Sequence, residues 1–576
     1  MTLNQALALV KSGKERGAEK KAHYLVSGFE PLHLKTFIQA HFLQRLPEND
    51  IDILNGLYGD FSGNLALAAQ SSALGAVAVL EGSDIDPRLG LRSSGGWAEE
   101  IKPDILSGAD QRLARIERSV AEVARKMPVV FVAPCLPMLP LGNTIRSQSS
   151  VMELEIEQRI GSFLLRISRL PGVRIVDRSR LGRIPVEDRL DVRFELLAGF
   201  PYTVPFADLM AGAVTEVLYP CPPKKGLITD LDDTLWAGIV GEIGADKVSW
   251  QQESHSQAHG LYQQMLGHLA SCGVLLAVCS KNEMAAAEAG LSRQDLFLKK
   301  ESFFPVCANW GPKSLSVGII LRTWNIGEEA VVFVDDSPME LEEVKSAFPG
   351  IECREFPRKD PSKLWNLLGE LRDLFGKPVI MAEDGLRQTS IRASAMIQEA
   401  GESAESSEFL LSLGATVSLD WRLDPSDKRP LELINKTNQF NLNGRRITEG
   451  EWQRRIDQPD SVLAVVSYAD RFGPLGKVAV VLGRKLGTTV RVAQWVMSCR
   501  AFSRRLEHQT LESLFRETSA EALEFDFEPT GKNNPLQEFF RSVGIGADAD
   551  GTYRISRADF AAQAMVLPHR VIDLRK

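Results

Sequence analysis

Three short apolar runs in the middle of this chain, Gly226 to Leu231, Val274 to Val278 and Val331 to Val334, each break off at a cluster of polar residues. Runs of this length without apolar–polar alternation fit strands covered on both faces, as in a parallel sheet held between two layers of helices. In open α/β sheets of that kind the ligand crevice lies outside the carboxyl ends of the strands. The polar clusters therefore stand where chemistry is done.

The first cluster, Asp230-Leu-Asp-Asp-Thr234, sets Asp230, Asp232 and Asp233 almost side by side. Negative charge of that density calls for a cation, and hard oxygen ligands suit Mg2+, which takes one or two carboxylates together with water and substrate phosphate. The second, Cys279-Ser-Lys-Asn-Glu283, offers Ser280 as a hydrogen-bond partner for a phosphoryl oxygen, and the third, Asp335-Asp-Ser-Pro338, supplies another carboxylate pair. Between them Lys313, in Asn-Trp-Gly-Pro-Lys-Ser, is a point cation able to neutralise phosphate charge. Taken singly, each has a plainer reading: an acidic turn capping a helix, a serine N-cap, a solvated lysine. In this order, each after a strand or helix pattern, they point jointly to phosphoryl chemistry on a small phosphorylated substrate.

At 576 residues the chain is several times the usual domain size, so roughly three or four folding units are expected. The pattern divides into three zones. Residues 1–222 alternate strand-like and amphipathic runs, 223–385 hold the clusters above, and 386–576 read as α+β from the closely spaced strands Val462 to Tyr468, Lys477 to Val481 and Thr489 to Val496. A net charge of −8 gives no pull toward phosphate backbones, which argues against a nucleic-acid partner. No apolar run approaches the roughly 18 residues that span a bilayer, and Lys11, Lys14, Glu15 and Arg16 interrupt any signal-peptide core, so a cytoplasmic protein without membrane partners is expected. Seven scattered cysteines with no C-x-x-C pair imply neither a disulfide framework nor a zinc site.

The four segments resemble the motifs of the haloacid-dehalogenase (HAD) superfamily. The wording Asp230-Leu-Asp-Asp-Thr-Leu-Trp-x-Gly-x-x-Gly-Glu242, Val278-Cys-Ser-Lys-Asn282, Asn309-Trp-Gly-Pro-Lys313 and Phe333-Val-Asp-Asp336 resembles its FkbH-like branch. The likeness continues through Asn435-Lys-Thr-Asn-Gln-Phe-Asn441, Met497-Ser-Cys-Arg500 and Pro529-Thr-Gly-Lys-Asn533, and so covers most of 224–540. It implies a HAD-type Rossmann-like parallel sheet flanked by an N-terminal SGNH-hydrolase-like α/β domain and a C-terminal GNAT-like α+β domain. By the same resemblance Asp230 is nucleophile and metal ligand, and Asp232 is general acid/base, lending its main-chain carbonyl to the metal. Asp335 and Asp336 complete the Mg2+ site, Ser280 and Lys313 serve the phosphoryl group, and Thr234 and Asn282 contact substrate.

FkbH-like proteins are associated with taking a glyceryl unit from 1,3-bisphosphoglycerate, removing phosphate, and loading the acyl group on the phosphopantetheine thiol of an acyl carrier protein in polyketide-type biosynthesis. Only about fifty residues separate Asp230 from Ser280, and a core helix and the Trp236 to Val248 flap use most of them, which leaves no room for a large cap domain after the first motif. Within the last zone Cys499, or Cys279 beside the second cluster, is a candidate relay thiol, with a packed thiol as the alternative. Arg500, Arg504 and Arg505 are candidates for the carrier-arm phosphate, with a solvated arginine face as the alternative. This chain has Ser337 and Ile243-Gly244 where the family commonly has Asn and Asp-Gly, and no glycine-rich CoA loop follows its long strand. In the first zone Ser62, in Asp60-Phe-Ser-Gly-Asn64, lacks a Gly-Asp-Ser setting, and Tyr202 to Met210 lacks Asp-x-x-His, so that zone is expected to be non-catalytic. A plain small-molecule phosphatase and a non-catalytic assembly protein remain as alternative functions.

Overall fold

The computed structural model describes the chain except residues 15–19, 95–97, 141–143, 378–379, 381–390, 392–406, 503, 549–550, 564–566 and 575–576, and the side chains of 14, 407–409 and 500. The chain forms two compact units. One is Met1–Cys221 with Ile447–Asp457, and the other is Pro222–Arg446 with Gln458–Lys576.

The first unit is built on five parallel strands, β1 (Lys20–Ser27), β2 (Asp50–Asn55), β3 (Ala76–Val79), β4 (Val129–Val132) and β5 (Val173–Ile175), in the order β2-β1-β3-β4-β5. Strand β4 shows why the runs carry no polar alternation. Val129 and Phe131 pack against the helices Lys102–Ala124 and Val151–Ile167, while Val130 and Val132 pack against Leu32–Arg45 and Val204–Leu218. Truncating a residue buried as completely as Phe131 costs about 3 to 5 kcal/mol. The helix Glu449–Ile456 belongs to this unit although it lies far along the sequence. Thr448 and Glu451 close a capping box at its start, Lys21 Nζ lies 2.9 Å from Glu451 Oε1, and Arg174 pairs with Glu449. A Cβ at Gly450 would fall 2.2 Å from the Leu74 carbonyl oxygen, so only glycine lets the helix approach this closely.

The second unit holds two sheets. The first has five parallel strands, β6 (Gly226–Thr229), β7 (Leu275–Ser280), β8 (Phe303–Ala308), β9 (Val331–Asp335) and β10 (Glu352–Glu355), ordered β10-β9-β6-β7-β8. Leu227, Leu276, Val278, Val332 and Val334 face one core, and Ile228, Leu275, Ala277, Val331 and Phe333 the other. Strand order reverses between β6 and β9, which puts the switch point between the strand ends bearing Asp230 and Asp335.

The other sheet of this unit comprises β11 (Thr416–Asp420), β12 (Phe440–Asn441), β13 (Ser461–Asp470), β14 (Gly473–Leu486), β15 (Thr489–Met497), β16 (Ala522–Phe525), β17 (Gly546–Ala547), β18 (Tyr553–Ser556) and β19 (Arg570–Asp573). Its order is β17-β18-β16-β15-β14-β13-β11-β19, with β12 added on β15. Residues expected as 223–385 and 386–576 thus share one compact unit, apart from the excursion Ile447–Asp457. The two sheets meet where β6 and β9 begin. Lys225 Nζ donates to the Lys436 carbonyl at 3.0 Å, and Glu329 accepts from Asn438 at 3.2 Å and from Lys532 at 3.4 Å. The segments Asn435–Asn441 and Pro529–Asn533 therefore serve the strand ends opposite the carboxylates.

Candidate active site

Each acidic cluster appears where a buried strand stops. Asp230 follows β6, its backbone N–H bonded to the Val334 carbonyl at 3.0 Å, and Asp335 closes β9. Lys313 begins the helix Lys313–Trp324 and is only 5% exposed. Its Nζ lies 2.6 Å from Asp335 Oδ2 and 3.1 Å from Asp230 Oδ1. Glu343 fixes the start of that helix by accepting from the Ser314 N–H at 2.9 Å and the Lys313 N–H at 3.3 Å. Burial opposes charge on Lys313, but the two aspartates outweigh it and hold its pKa above the ordinary lysine value. Burial also pushes Asp230 up, opposed by Lys313 and the Ser280 hydroxyl. For Asp335, burial and the nearby Asp230 charge raise the pKa to about 6.

Asp232 is held differently. Its Oδ1 accepts from the Trp236 indole at 3.0 Å and the Val240 N–H at 2.9 Å, and its Oδ2 accepts from Asn282 Nδ2 at 2.8 Å. The same Asn282 amide donates to Ser280 Oγ at 3.1 Å, so Asn282 fixes the orientation of Asp232 and Ser280. Asp233, at φ +53°, accepts from the Gly238 N–H at 2.8 Å and pairs with Arg358 at 2.7 Å. Arg358 also stands 3.5 Å from Asp336. Neither Arg358 nor Glu343 carries any motif, and the sequence reading passed over both.

Asp230, Asp335 and Asp336 each bring a carboxylate oxygen within 4.8 Å of the others, a group able to hold a metal ion. The chemistry of the donors fits Mg2+, being all hard oxygen. Thr234 Oγ1 is buried without a hydrogen-bond partner, and Asp230 Oδ1 has the Lys313 ammonium beside it at 3.1 Å. The carboxylate of Asp232 is committed elsewhere and is not one of this group.

The remaining candidates scatter. The Cys279 thiol is buried, donates to the Lys313 carbonyl at 3.6 Å, and is pushed up in pKa by burial, which is the behaviour of a packed thiol and not of a nucleophile. Cys499 is half-buried in the short turn Cys499–Ala501. The Arg500 side chain lies outside the described residues. Arg504 is not part of a solvated face. It is 5% exposed, approaches Asp470 at 3.5 Å, and lies over the Tyr468 ring at 5.5 Å. An incoming phosphate would have to displace the buried Asp470, so Arg504 is structural. The late half of β15 pairs with β12, and the Leu442 N–H bonds the Trp495 carbonyl at 2.9 Å, so that edge is taken by the chain itself. In the first unit Asp60 caps the helix Phe61–Gln70 through the Gly63 N–H at 2.8 Å, and Ser62 has no histidine or aspartate bonded to it among the described residues.

The second unit therefore carries a parallel α/β sheet with a carboxylate–lysine cluster at its switch point. No family model matches the chain, and no curated protein matches it. Among solved structures it is similar to the N-terminal part of protein BF1531 from Bacteroides fragilis, which contains a phosphatase domain complexed with Mg. That match has a TM-score of 0.49 and 21% identity, and covers 66% of this chain and 99% of that one. A Desulfovibrio desulfuricans protein assigned to the GNAT acetyltransferase family matches at TM-score 0.20 and 13% identity, covering 24% of this chain and 99% of its own. Salicylyl-acyltransferase SsfX3 from a tetracycline biosynthetic pathway matches at 0.20 and 12%, covering 35% and 54%. Likenesses this distant carry no functional weight, which rests on the side-chain geometry. No helix among the described residues is long and apolar enough to cross a membrane.

Proposed function

We propose that this chain is a Mg2+-dependent enzyme of the HAD type that transfers the phosphoryl group of a small substrate to Asp230. The observation that carries the reading is the meeting of Asp230, Lys313 and Asp335 at the switch point, beside Asp336. Asp230, Asp335 and Asp336 would hold the metal, which when bound offsets the charge on the phosphoryl oxygens. Lys313 keeps Asp230 and Asp335 together despite their like charge. An Asp230 carboxylate oxygen forms the bond to phosphorus as the bond to the leaving oxygen breaks, and Asp232 protonates that oxygen. Water then releases phosphate from Asp230, giving its proton back to Asp232.

By the FkbH-like resemblance the substrate is 1,3-bisphosphoglycerate and the acceptor is the phosphopantetheine thiol of an acyl carrier protein. With Cys499 as relay, its thiolate attacks the acyl carbon and expels the C1 phosphate, the carrier thiolate then takes the acyl group from Cys499, and Asp230 removes the phosphate on C3. A plain phosphatase is the second reading, favoured by the burial of Arg504 against Asp470 and by the closed edge of β15. Incubation with 1,3-bisphosphoglycerate, Mg2+ and a phosphopantetheinylated carrier separates them. Phosphate release with a glyceryl mass shift on the carrier is expected. Release without the shift leaves the plain phosphatase, and no Mg2+-dependent release rejects both.

A further inference from the structure

Arg358 follows β10 in a turn held at several points. The Phe356 N–H bonds the Asp335 carbonyl at 2.8 Å, and the Phe356 ring stacks on His259 at 4.8 Å and leans on Tyr262 at 5.3 Å. His259 Nδ1 in turn donates to the Thr234 carbonyl at 2.9 Å, so the turn is tied to both acidic strand ends. The guanidinium reaches back to the site. Its Nη1 lies 2.7 Å from Asp233 and 3.5 Å from Asp336, one of the three carboxylates able to share a cation. Its Nε and Nη2 have no partner among the described residues, and the side chain is 51% exposed. Of the two lysines that the acidic clusters bring in, Lys313 is buried between Asp230 and Asp335, and Lys281 is bonded to Glu340 at 2.7 Å.

We propose that Arg358 reads a second anionic group on the substrate, so that the site selects small phosphate esters carrying a further carboxylate or phosphate. The proposal rests on the phosphoryl-transfer reading. A phosphoryl group seated against Asp230 leaves the rest of a small substrate on the open side, where a planar fork with donors to spare matches carboxylate and phosphate oxygens two at a time. The carboxylate of Asp233 is only 10% exposed and already accepts from the Gly238 N–H, whereas Arg358 meets it with Nη1 alone and is 51% exposed, so most of the fork stands open to solvent. The rigid turn presents the fork ready-made, which lowers the ordering cost of binding.

The test compares three phosphate esters: glycerol 3-phosphate, with no second anion, 3-phosphoglycerate, with a carboxylate, and propane-1,3-diol bisphosphate, with a phosphate. The full-length protein should prefer one or both esters with a second anionic group over glycerol 3-phosphate in kcat/KM. Arg358→Ala should cut that ratio about ten-fold or more, mainly through KM, and Arg358→Lys should recover only part of it. The two arms with a second anionic group tell carboxylate from phosphate. An equal loss on all three esters in Arg358→Ala, or no preference in the wild type, overturns the proposal. Asp230-dependent release from p-nitrophenyl phosphate separates the two levels: its presence without any preference rejects Arg358 alone, and absence of release from every ester rejects the phosphoryl reading as well.

Discussion

The two five-stranded parallel sheets are built by the same rule, yet their switch points hold opposite chemistry. Between β6 and β9 the carboxyl ends gather Asp230 and Asp335 around one buried lysine, with Asp336 beside Arg358, and the three carboxylates lie close enough to share a cation. Between β1 and β3 the protein fills the same place with itself. Asn64 donates to the Ser27 carbonyl and accepts from the Leu57 N–H, both at 2.8 Å, and Asp84 accepts from the Glu81 N–H at 2.9 Å. Glu81 accepts from the Tyr202 hydroxyl at 2.6 Å and from the Cys135 and Leu136 N–H groups at 3.3 Å. What separates the two crevices is not the fold but what the strand ends carry: one gathers carboxylates able to share a cation, the other ties its polar side chains to its own chain.

The comparison breaks most decisively at Asp230. Asp230→Asn keeps the shape and loses the nucleophile, so phosphate release should fall about a thousand-fold or more with little change in melting temperature. Glu81→Gln in the other sheet should leave release intact, and a comparable loss there would mean the first crevice takes part in chemistry. Next in size is Asn282→Ala. It frees Asp232 and Ser280 without removing either, so kcat for phosphate release should drop about ten- to a hundred-fold while the stabilisation by Mg2+ in thermal unfolding is kept. An unchanged kcat would show that Asp232 needs no support from Asn282.

The smallest effect is one of pH. Burial raises Glu81 to about 8 and Asp84 to about 7. Both acids bind their protons more tightly folded than unfolded, so their contribution to stability is complete below the ordinary carboxylate values and is lost as pH rises through about 7 to 8. The melting temperature of the wild type should therefore decline between about pH 5 and pH 8, and Glu81→Gln should flatten the decline. An identical pH profile in the variant would show that Glu81 titrates normally.

Much of the β6–β10 sheet was legible because two signals coincide there: a strand buried on both faces has no polar alternation, and its end exposes whatever polar residues follow. That placed Asp230, Asp232, Ser280, Asp335 and Asp336 at one crevice. Arg358 escaped because it reaches the site from an edge strand, through a turn whose anchors, Phe356 on His259 and Tyr262, are contacts between residues far apart in sequence. Arg504 misled for the converse reason. A charged residue near a helix start looks solvent-facing, and only the fold reveals Asp470 beside it. Asn282 was read as a substrate contact, whereas its amide is occupied by Asp232 and Ser280.

The helix Glu449–Ile456 has a consequence for how this protein is made. Its partners Lys21, Leu74 and Arg174 leave the ribosome early, while the helix itself emerges only after the whole β6–β10 sheet has been synthesised. Domains ordinarily fold in order from the N-terminus during synthesis. Here the unit begun first is finished later than the sheet that follows it, and a nascent chain stopped anywhere between residues 222 and 446 carries an N-terminal unit still lacking one of its helices.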